Sequence, residues 1–348
     1  MRRTLLPALA LLALPLAAQE RYTLPTTTSI YDLVGSVKVE SHSGSGIVVE
    51  VTRTGPDASK LRVEQGEIDG RHTFRVVFPS TSIRYADRGT RWRGRWNTTM
   101  SVRSDGTFGG GWESGVRGRR VRISSDGDFD AAANLRVLVP AGAKLWLNHG
   151  VGDVSTSGTN ATLSIDLAAA EATVRNHTGS LSVDAGSGRL DVSGVKGSVN
   201  LDTGSGEVVI AGVEGERIML DAGSGGVEGS NLSATTLSID AGSGEVRLRG
   251  VRAARTKLDA GSGGVRLGFV NSPEDVTVDA GSGSVDLAFP ESLDASIDIE
   301  TGSGGIVSEF AVTTERMSRD RLVGKVGKGT GRIRVDAGSG SVRLLKRG

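Results

Sequence analysis

The chain contains no cysteine. That excludes disulfides, thiolate metal sites and a cysteine nucleophile, and with them a lipid-anchored start, which needs a cysteine just after its leader. Aromatic residues are only 4% of a chain that is 37% hydrophobic. The core must therefore be narrow and built from Val, Leu and Ile rather than from large rings. Eight prolines are too few and too irregular for collagen or a Pro-rich stalk. Neither sign of charge dominates: 41 basic residues face 40 acidic ones, so the bulk charge does not call for nucleic acid. No segment beyond the N-terminus has the ~20 apolar residues that a spanning helix needs.

Glycine, by contrast, is plentiful at 51 of 348 residues, which points to turns at regular intervals. The N-terminus has its own pattern. Arg2 and Arg3 precede a stretch of Leu, Ala and Pro from Leu5 to Leu16, and Leu16-Ala17-Ala18 supplies small residues before Gln19. This pattern predicts a secretory signal over residues 1–18, cleaved after Ala18, and hence an exported protein, periplasmic, outer-membrane-associated or extracellular.

The dominant feature is a repeat. Asp-Ala-Gly-Ser-Gly begins at Asp184, Asp221, Asp240, Asp259, Asp279 and Asp336, with variants at Asp202 and Glu300. From Asp184 to Glu300 the steps are 18, 19, 19, 19, 20 and 21 residues, and from Glu300 to Asp336 the step is 36, about two periods. One rung with a degenerate or expanded sequence is therefore expected between Glu300 and Asp336. Counting back by 18 reaches Asp166 and Asn148, which puts the start of the array near residue 141.

Apolar residues keep fixed offsets from the acid. Leu181 and Val183, Ile218 and Leu220, and Ile333 and Val335 lie three and one before it; Leu190 and Val192, Val246 and Leu248, and Val342 and Leu344 lie six and eight after. Each pair is two residues apart, the period of a strand. Each rung reads as strand, Gly-Ser-Gly bend, strand, second bend, the last often carrying an apolar residue such as Val195, Val213, Leu232 or Val251. The residue after the acid is Ala or Thr, a small inward residue for a tight corner. One such rung cannot bury its apolar side, whereas stacked rungs share a continuous core. The expected fold is an all-β, single-stranded β-solenoid of ten or eleven rungs, about 50 Å long at roughly 4.8 Å per rung. A propeller would need about 40–50 residues per blade.

Residues 19–140 read as a smaller β region ahead of the solenoid domain, 141–348. Ser36 to Glu40 and Gly46 to Val51 alternate like strands, and this region is placed to cap or begin the array. It is interrupted from Arg84 to Arg122 by an Arg/Trp/Gly-rich insert. Within that insert Arg91, Trp92, Arg93, Arg95, Trp96 and Trp112 are the candidate ligand-binding residues, because guanidinium charge with aromatic stacking suits a polyanion, a phosphorylated head group or a glycan. A solvated loop is the competing reading.

The acids at Asp184, Asp202, Asp221, Asp240, Asp259, Asp279, Glu300 and Asp336 have two readings. Acidic columns in β-solenoids can bind calcium. Calcium needs six or more oxygens, however, and no second acidic column runs alongside. The favoured reading is structural: each carboxylate accepts backbone N–H bonds from a Gly-Ser-Gly bend. No metal and no cofactor is expected. Catalytic signals are weak. The four histidines, His42, His72, His149 and His177, are scattered, the Gly-Ser-Gly serines lack the helix that follows a nucleophile elbow, and no catalytic residue is assigned.

The rung Val-x-Val-Asp-Ala-Gly-Ser-Gly-x-Val-x-Leu, with the closing run from Gly324 to Leu344, resembles the bacterial β-strand-repeat family labelled "putative adhesin". The likeness covers about residues 135–348, and more weakly 30–80. It implies a β-solenoid with envelope or surface association and brings no catalytic residues. The Arg/Trp insert departs from the family pattern. A more distant resemblance is to the bactofilins, cytoplasmic solenoids that polymerise end to end; the leader argues against that reading. The expected function is a non-catalytic envelope or surface-binding, adhesin-like scaffold, its partner an envelope polyanion, glycan or surface protein and not nucleic acid. One alternative is a self-associating structural solenoid whose open last strand, Val342 to Leu345, pairs with another molecule. The other is a polysaccharide-active enzyme.

Overall fold

In the computed structural model of the protein, residues 19–85, 97–109 and 118–347 are described. Apart from one short 3-10 turn at Ala58–Lys60, their regular structure is strand. No helix among them is long and apolar enough to cross a membrane.

The repeat folds as a β-solenoid, and parallel register carries it from end to end. Residues at the acid position stack in the order Tyr31, Asn148, Asp166, Asp184, Asp202, Asp221, Asp240, Asp259, Asp279, Asp336, Glu300, so the stack has eleven rungs. The first rung comes from the front region: the strand Thr27–His42 lies parallel to Lys144–Ser157, with Tyr31 opposite Asn148. The chain thus begins its solenoid, leaves it for about a hundred residues, and returns beside its own first rung.

Strand alternation explains the core. Residues one and three before the acid point inward, and Val183, Leu201, Leu220, Ile239 and Leu258 are all at most 2% exposed. The residue after the acid also points inward. In stacking order this column reads Asp32, His149, Leu167, Ala185, Thr203, Ala222, Ala241, Ala260, Ala280, Ala337, Thr301, all of it buried. The apolar residues of the second bend, Val195, Val213, Leu232 and Val251, are buried too. Near the C-terminal end the core widens enough for Phe269 and Phe289 to stack at 4.9 Å.

At the C-terminal end one expectation is met in its expanded form and another is corrected. The stretch from Glu300 to Asp336 is an expanded rung. It forms the strand Ile306–Ser308 and an antiparallel hairpin, Thr313–Met317 with Arg321–Val326, whose second strand lies antiparallel on Ala295–Thr301. The final repeat then folds back inside: Gly331–Ala337 enters between Asp275–Ala280 and Ala295–Thr301, and Val342–Lys346 enters between Val285–Phe289 and Ile306–Ser308. Val342 to Leu345 is therefore an interior strand, not an open edge. The reason lies in the side chains. Ile333, Val335, Val342 and Leu344 can be covered on both sides and are fully buried. The Glu300 rung has only Ile306-Val307-Ser308 for its second strand, and that strand takes the exposed end.

The front region wraps the other end. Glu20–Leu24, Ile47–Thr54 and Ala132–Pro140 form an antiparallel group joined to Thr27–His42, and Arg71–Val77 runs parallel to Thr28–Tyr31 with Arg62–Ile68 on its outer side. A separate four-stranded sheet contains Asn97–Val102, Arg119–Ser124, Ser82–Arg84 and Phe129–Asp130. Within the stretch from Arg84 to Arg122, Asn97–Val102 and the start of Arg119–Ser124 are thus strand rather than loop.

Candidate functional site

The rung register brings the sequence-predicted acids together on one exposed line. Nine carboxylates stack in succession from Asp166 to Glu300, each one strand spacing, roughly 4.8 Å, from the next. Beside them run two further columns. One is glycine: Gly186, Gly204, Gly223, Gly242, Gly261, Gly281, Gly338 and Gly302. The other is the serine of each Gly-Ser-Gly bend.

The expectation that these acids accept N–H bonds from the bends is corrected. The bend N–H groups go instead to carbonyls of the preceding rung, as in Gly223 N to Thr203 O at 2.9 Å, Ser224 N to Gly204 O at 3.1 Å and Gly242 N to Ala222 O at 3.0 Å. Parallel stacking satisfies the corner by itself, and strand alternation turns the acid outward. From Asp184 through Asp279 the carboxylates are exposed and take no hydrogen bond among the described residues. At the end of the column Glu300 accepts from Arg321 Nη1 at 3.0 Å.

Partial shielding by the flanking rungs raises the carboxyl pKa of Asp184, Asp202 and Asp221, and the neighbouring carboxylates push in the same direction. Like charges directly opposite across a ladder repel. A carboxyl whose pKa is raised on folding costs stability as the pH climbs through that value, and costs nothing below the ordinary Asp pKa. Asp221→Asn is therefore expected to raise the thermal midpoint at neutral pH and low salt, with the gain shrinking in high salt and vanishing at acidic pH. Equal midpoints of the two proteins at low salt and neutral pH would show that the column is already neutralised.

The second strands carry a different surface. There, opposite charges pair between rungs: Arg189 with Glu207, Arg266 with both Glu245 (3.0 Å) and Asp286 (3.5 Å), and Arg343 with Asp286. The molecule neutralises one long face internally and leaves the other a row of like charge. Among the described residues no group of three or more His, Asp or Glu side chains could hold a metal ion.

Of the candidate ligand-binding residues in the insert, Arg91, Trp92, Arg93, Arg95, Trp96 and Trp112 all lie outside the described residues. The flanks of the insert are visible. Arg119 donates to the carbonyl of Phe78, and Arg122 pairs with Asp126 at 3.2 Å, so these arginines fasten the small sheet. Phe108 packs edge-on against Tyr31 at 5.7 Å. Gly109, with φ +73°, sits so close to the acidic column that a Cβ there would lie 2.7 Å from Asp166 Oδ2. The root of the insert thus abuts the N-terminal end of the acid row. The fourth tryptophan, Trp146, is covered by the Arg71 guanidinium at 3.7 Å from the ring centre.

Sequence reasoning missed a buried ionisable pair. Asp32 and His149 are opposite one another in the first two rungs, both 0% exposed, with His149 Nδ1 3.4 Å from Asp32 Oδ2. His149 Nε2 meets the Gly35 carbonyl at 3.1 Å, while among the described residues both Asp32 oxygens and His149 Nδ1 lack a hydrogen-bond partner. Burial raises the Asp32 pKa against the opposing influence of His149 and the nearby Val34 and Leu33 peptides. One signal was available: Ile30 precedes Tyr31 as Leu147 precedes Asn148, which puts Asp32 in the inward column.

No curated protein matches the chain. Among solved structures, similarity is found to a "putative cell adhesion protein" from Clostridium sporogenes (11% identity over 95% of this chain and 99% of that one, TM-score 0.20). It is also found to a "putative adhesin" from Parabacteroides distasonis (14%, 94% and 96%, TM-score 0.40) and to another from Bacteroides fragilis (12%, 94% and 96%, TM-score 0.34). Overlays this loose carry no structural argument. The profile of the Toastrack DUF4097 family, by contrast, matches residues 143–345, more than half of the chain and all of the rungs after the first. Together with a solenoid whose inward and outward columns follow that repeat, this match means that the chain belongs to the Toastrack DUF4097 family.

Proposed function

We propose that this protein is an exported, non-catalytic, adhesin-like scaffold that binds envelope or surface material. The observation that carries this reading is the register itself: a carboxylate recurs on nine successive rungs, so a partner with its own repeat of hydroxyl or cationic groups can engage many like groups at once. Individually weak contacts then sum to a strong one. In this reading Arg91, Trp92, Arg93, Arg95, Trp96 and Trp112 supply the contact chemistry for a polyanion or glycan.

The test is co-sedimentation of the protein from Gln19 onward with isolated envelope fractions at low and high salt. Deleting Arg84 to Arg122 would also remove the strands Asn97–Val102 and Arg119–Ser124. The cleaner variant replaces Arg91, Trp92, Arg93, Arg95, Trp96 and Trp112 by serine and keeps the strands. Salt-sensitive sedimentation that is lost in this variant is the expected result. Sedimentation unchanged by the six substitutions would remove the contact role from that segment, and absence of binding to every fraction would overturn the reading.

A second reading, self-association, is supported by the C-terminal end. The strand Thr313–Met317 pairs on one side only, and Met317 and Val307 there are 75% and 56% exposed. Unpaired strand edges template pairing with another chain. Light scattering that reports a strict monomer at high concentration would end it.

A further inference from the structure

We propose that a cleft between the small four-stranded sheet and the first rungs is a saccharide-binding site. The inference rests on the reading of the protein as a binder, but it uses residues apart from the Arg/Trp segment. The cleft has a volume of about 360 Å³, near the lower end of small-ligand clefts, and is suited to one or two sugar rings. Among the described residues its polar lining comes from Ser36, Thr54, Arg84, Asp130, Asn134 and Asp153, and Tyr85 lies at its edge.

Asn134 and Arg84 are held in place by side-chain hydrogen bonds, and with Asp130 they keep unused hydrogen-bonding capacity. Asn134 Oδ1 accepts from both the backbone N and the Oγ of Ser36, at 3.0 and 2.9 Å. This settles the orientation of the amide and leaves both Nδ2 hydrogens as donors. Arg84 Nε donates to the Gly127 carbonyl at 2.9 Å, which fixes the guanidinium and leaves Nη1 and Nη2 without an acceptor among the described residues. Asp130 is the strand partner of Arg84, yet the two form no ion pair. The Asp130 backbone N–H goes to Asp57 Oδ2 at 2.9 Å, while its own carboxylate takes no donor among the described residues. Asp153, opposite Ser36 in the next rung, adds a second carboxylate to the wall.

This combination selects a ligand class. Fixed donors and fixed acceptors side by side suit vicinal hydroxyls, which donate and accept at once. The Asp130 carboxylate beside the guanidinium disfavours a phosphate or sulfate group. An apolar ligand would leave the Asn134, Arg84 and Asp130 groups desolvated and unpaired, at a cost. A neutral saccharide satisfies them.

The experiment is ligand-observed NMR and titration of the full chain from Gln19 with maltose, cellobiose, lactose and N,N′-diacetylchitobiose. At least one is expected to bind in the millimolar range or tighter. Asn134→Asp keeps the acceptor for Ser36 and removes both donors; Asp130→Asn neutralises the opposite wall. Each is expected to weaken binding by roughly tenfold or more without moving the thermal midpoint. Wild-type binding that survives both substitutions, or no binding by any of the four disaccharides, overturns the proposal. Envelope sedimentation is read separately, so a failure there with disaccharide binding intact overturns the envelope reading and leaves the cleft standing.

Discussion

Replacing Gly225 by alanine will abolish cooperative folding of the solenoid. The backbone at this corner passes so close to the previous rung that a Cβ on Gly225 would lie 1.6 Å from the Gly206 carbonyl oxygen. The same contact recurs along the column, with a Cβ on Gly244 1.9 Å from Gly225 O and one on Gly263 1.8 Å from Gly244 O. These atoms belong to backbone on both sides, so no side chain can swing away. Relief requires the rungs to part, and parting breaks the interface with the neighbour that holds each rung in place. A substitution of this kind belongs with the exceptional losses, above about 4 kcal/mol. Gly305 is the control, because an added Cβ there meets nothing within 4 Å. Urea unfolding followed by circular dichroism should show Gly305→Ala close to wild type and Gly225→Ala unfolded or with a broad, non-cooperative transition. Equal behaviour of the two would mean that the rungs are not stacked in this register.

The Asp32–His149 pair is the second place where one residue should matter greatly. Every rung beyond it fills the same inward column with Leu, Ala or Thr. Replacing both members by the residues of the next two rungs, as in Asp32→Ala with His149→Leu, removes two buried polar groups that lack full hydrogen bonding. Such exchanges are neutral or gain roughly 1–4 kcal/mol. His149→Leu alone leaves the Asp32 carboxyl buried without its partner, and should cost about 3–5 kcal/mol.

The pH dependence has a definite sign. Burial raises the Asp32 pKa, so its contribution to stability is fully present below the ordinary Asp pKa and is lost as the pH rises through the raised value. The double variant lacks this loss, and its advantage over the parent should grow from acidic to neutral pH. Denaturant midpoints across that range test this. A constant difference between the two proteins would show that Asp32 is not the titrating group. The pair also joins the returning chain to its first rung, since Asp32 lies on Thr27–His42 and His149 on Lys144–Ser157. Loss of either partner should therefore loosen the front region before the later rungs.

Much of this architecture is written in local pattern. Pairs such as Leu181 with Val183 and Val246 with Leu248 mark strands because side chains alternate every residue, and the repeat of 18 to 21 residues marks rungs because only stacked copies can cover that apolar side. The inward Ala and Thr after each acid, and the acids on a single line, follow from the same two periods. What the acids do did not follow. Whether a bend N–H turns to its own carboxylate or to the rung beneath depends on how closely the rungs approach, and that is a property of the stack.

The ends of the molecule were decided by tertiary structure alone. Nothing local tells Gly331–Ala337 to slip between two strands that precede it, because the choice depends on which rung can be covered on both faces. Nothing local pairs Asp32 with His149, 117 positions apart, or gathers Ser36, Arg84, Asp130, Asn134 and Asp153 around one cleft. Those encounters depend on the register between strands that are distant in the chain, and register is settled by how the whole apolar column fits together. The rung, its inward face and its repetition follow from local pattern; the order of the rungs, the capping of the ends and the side chains brought together where the chain returns to itself follow from long-range register.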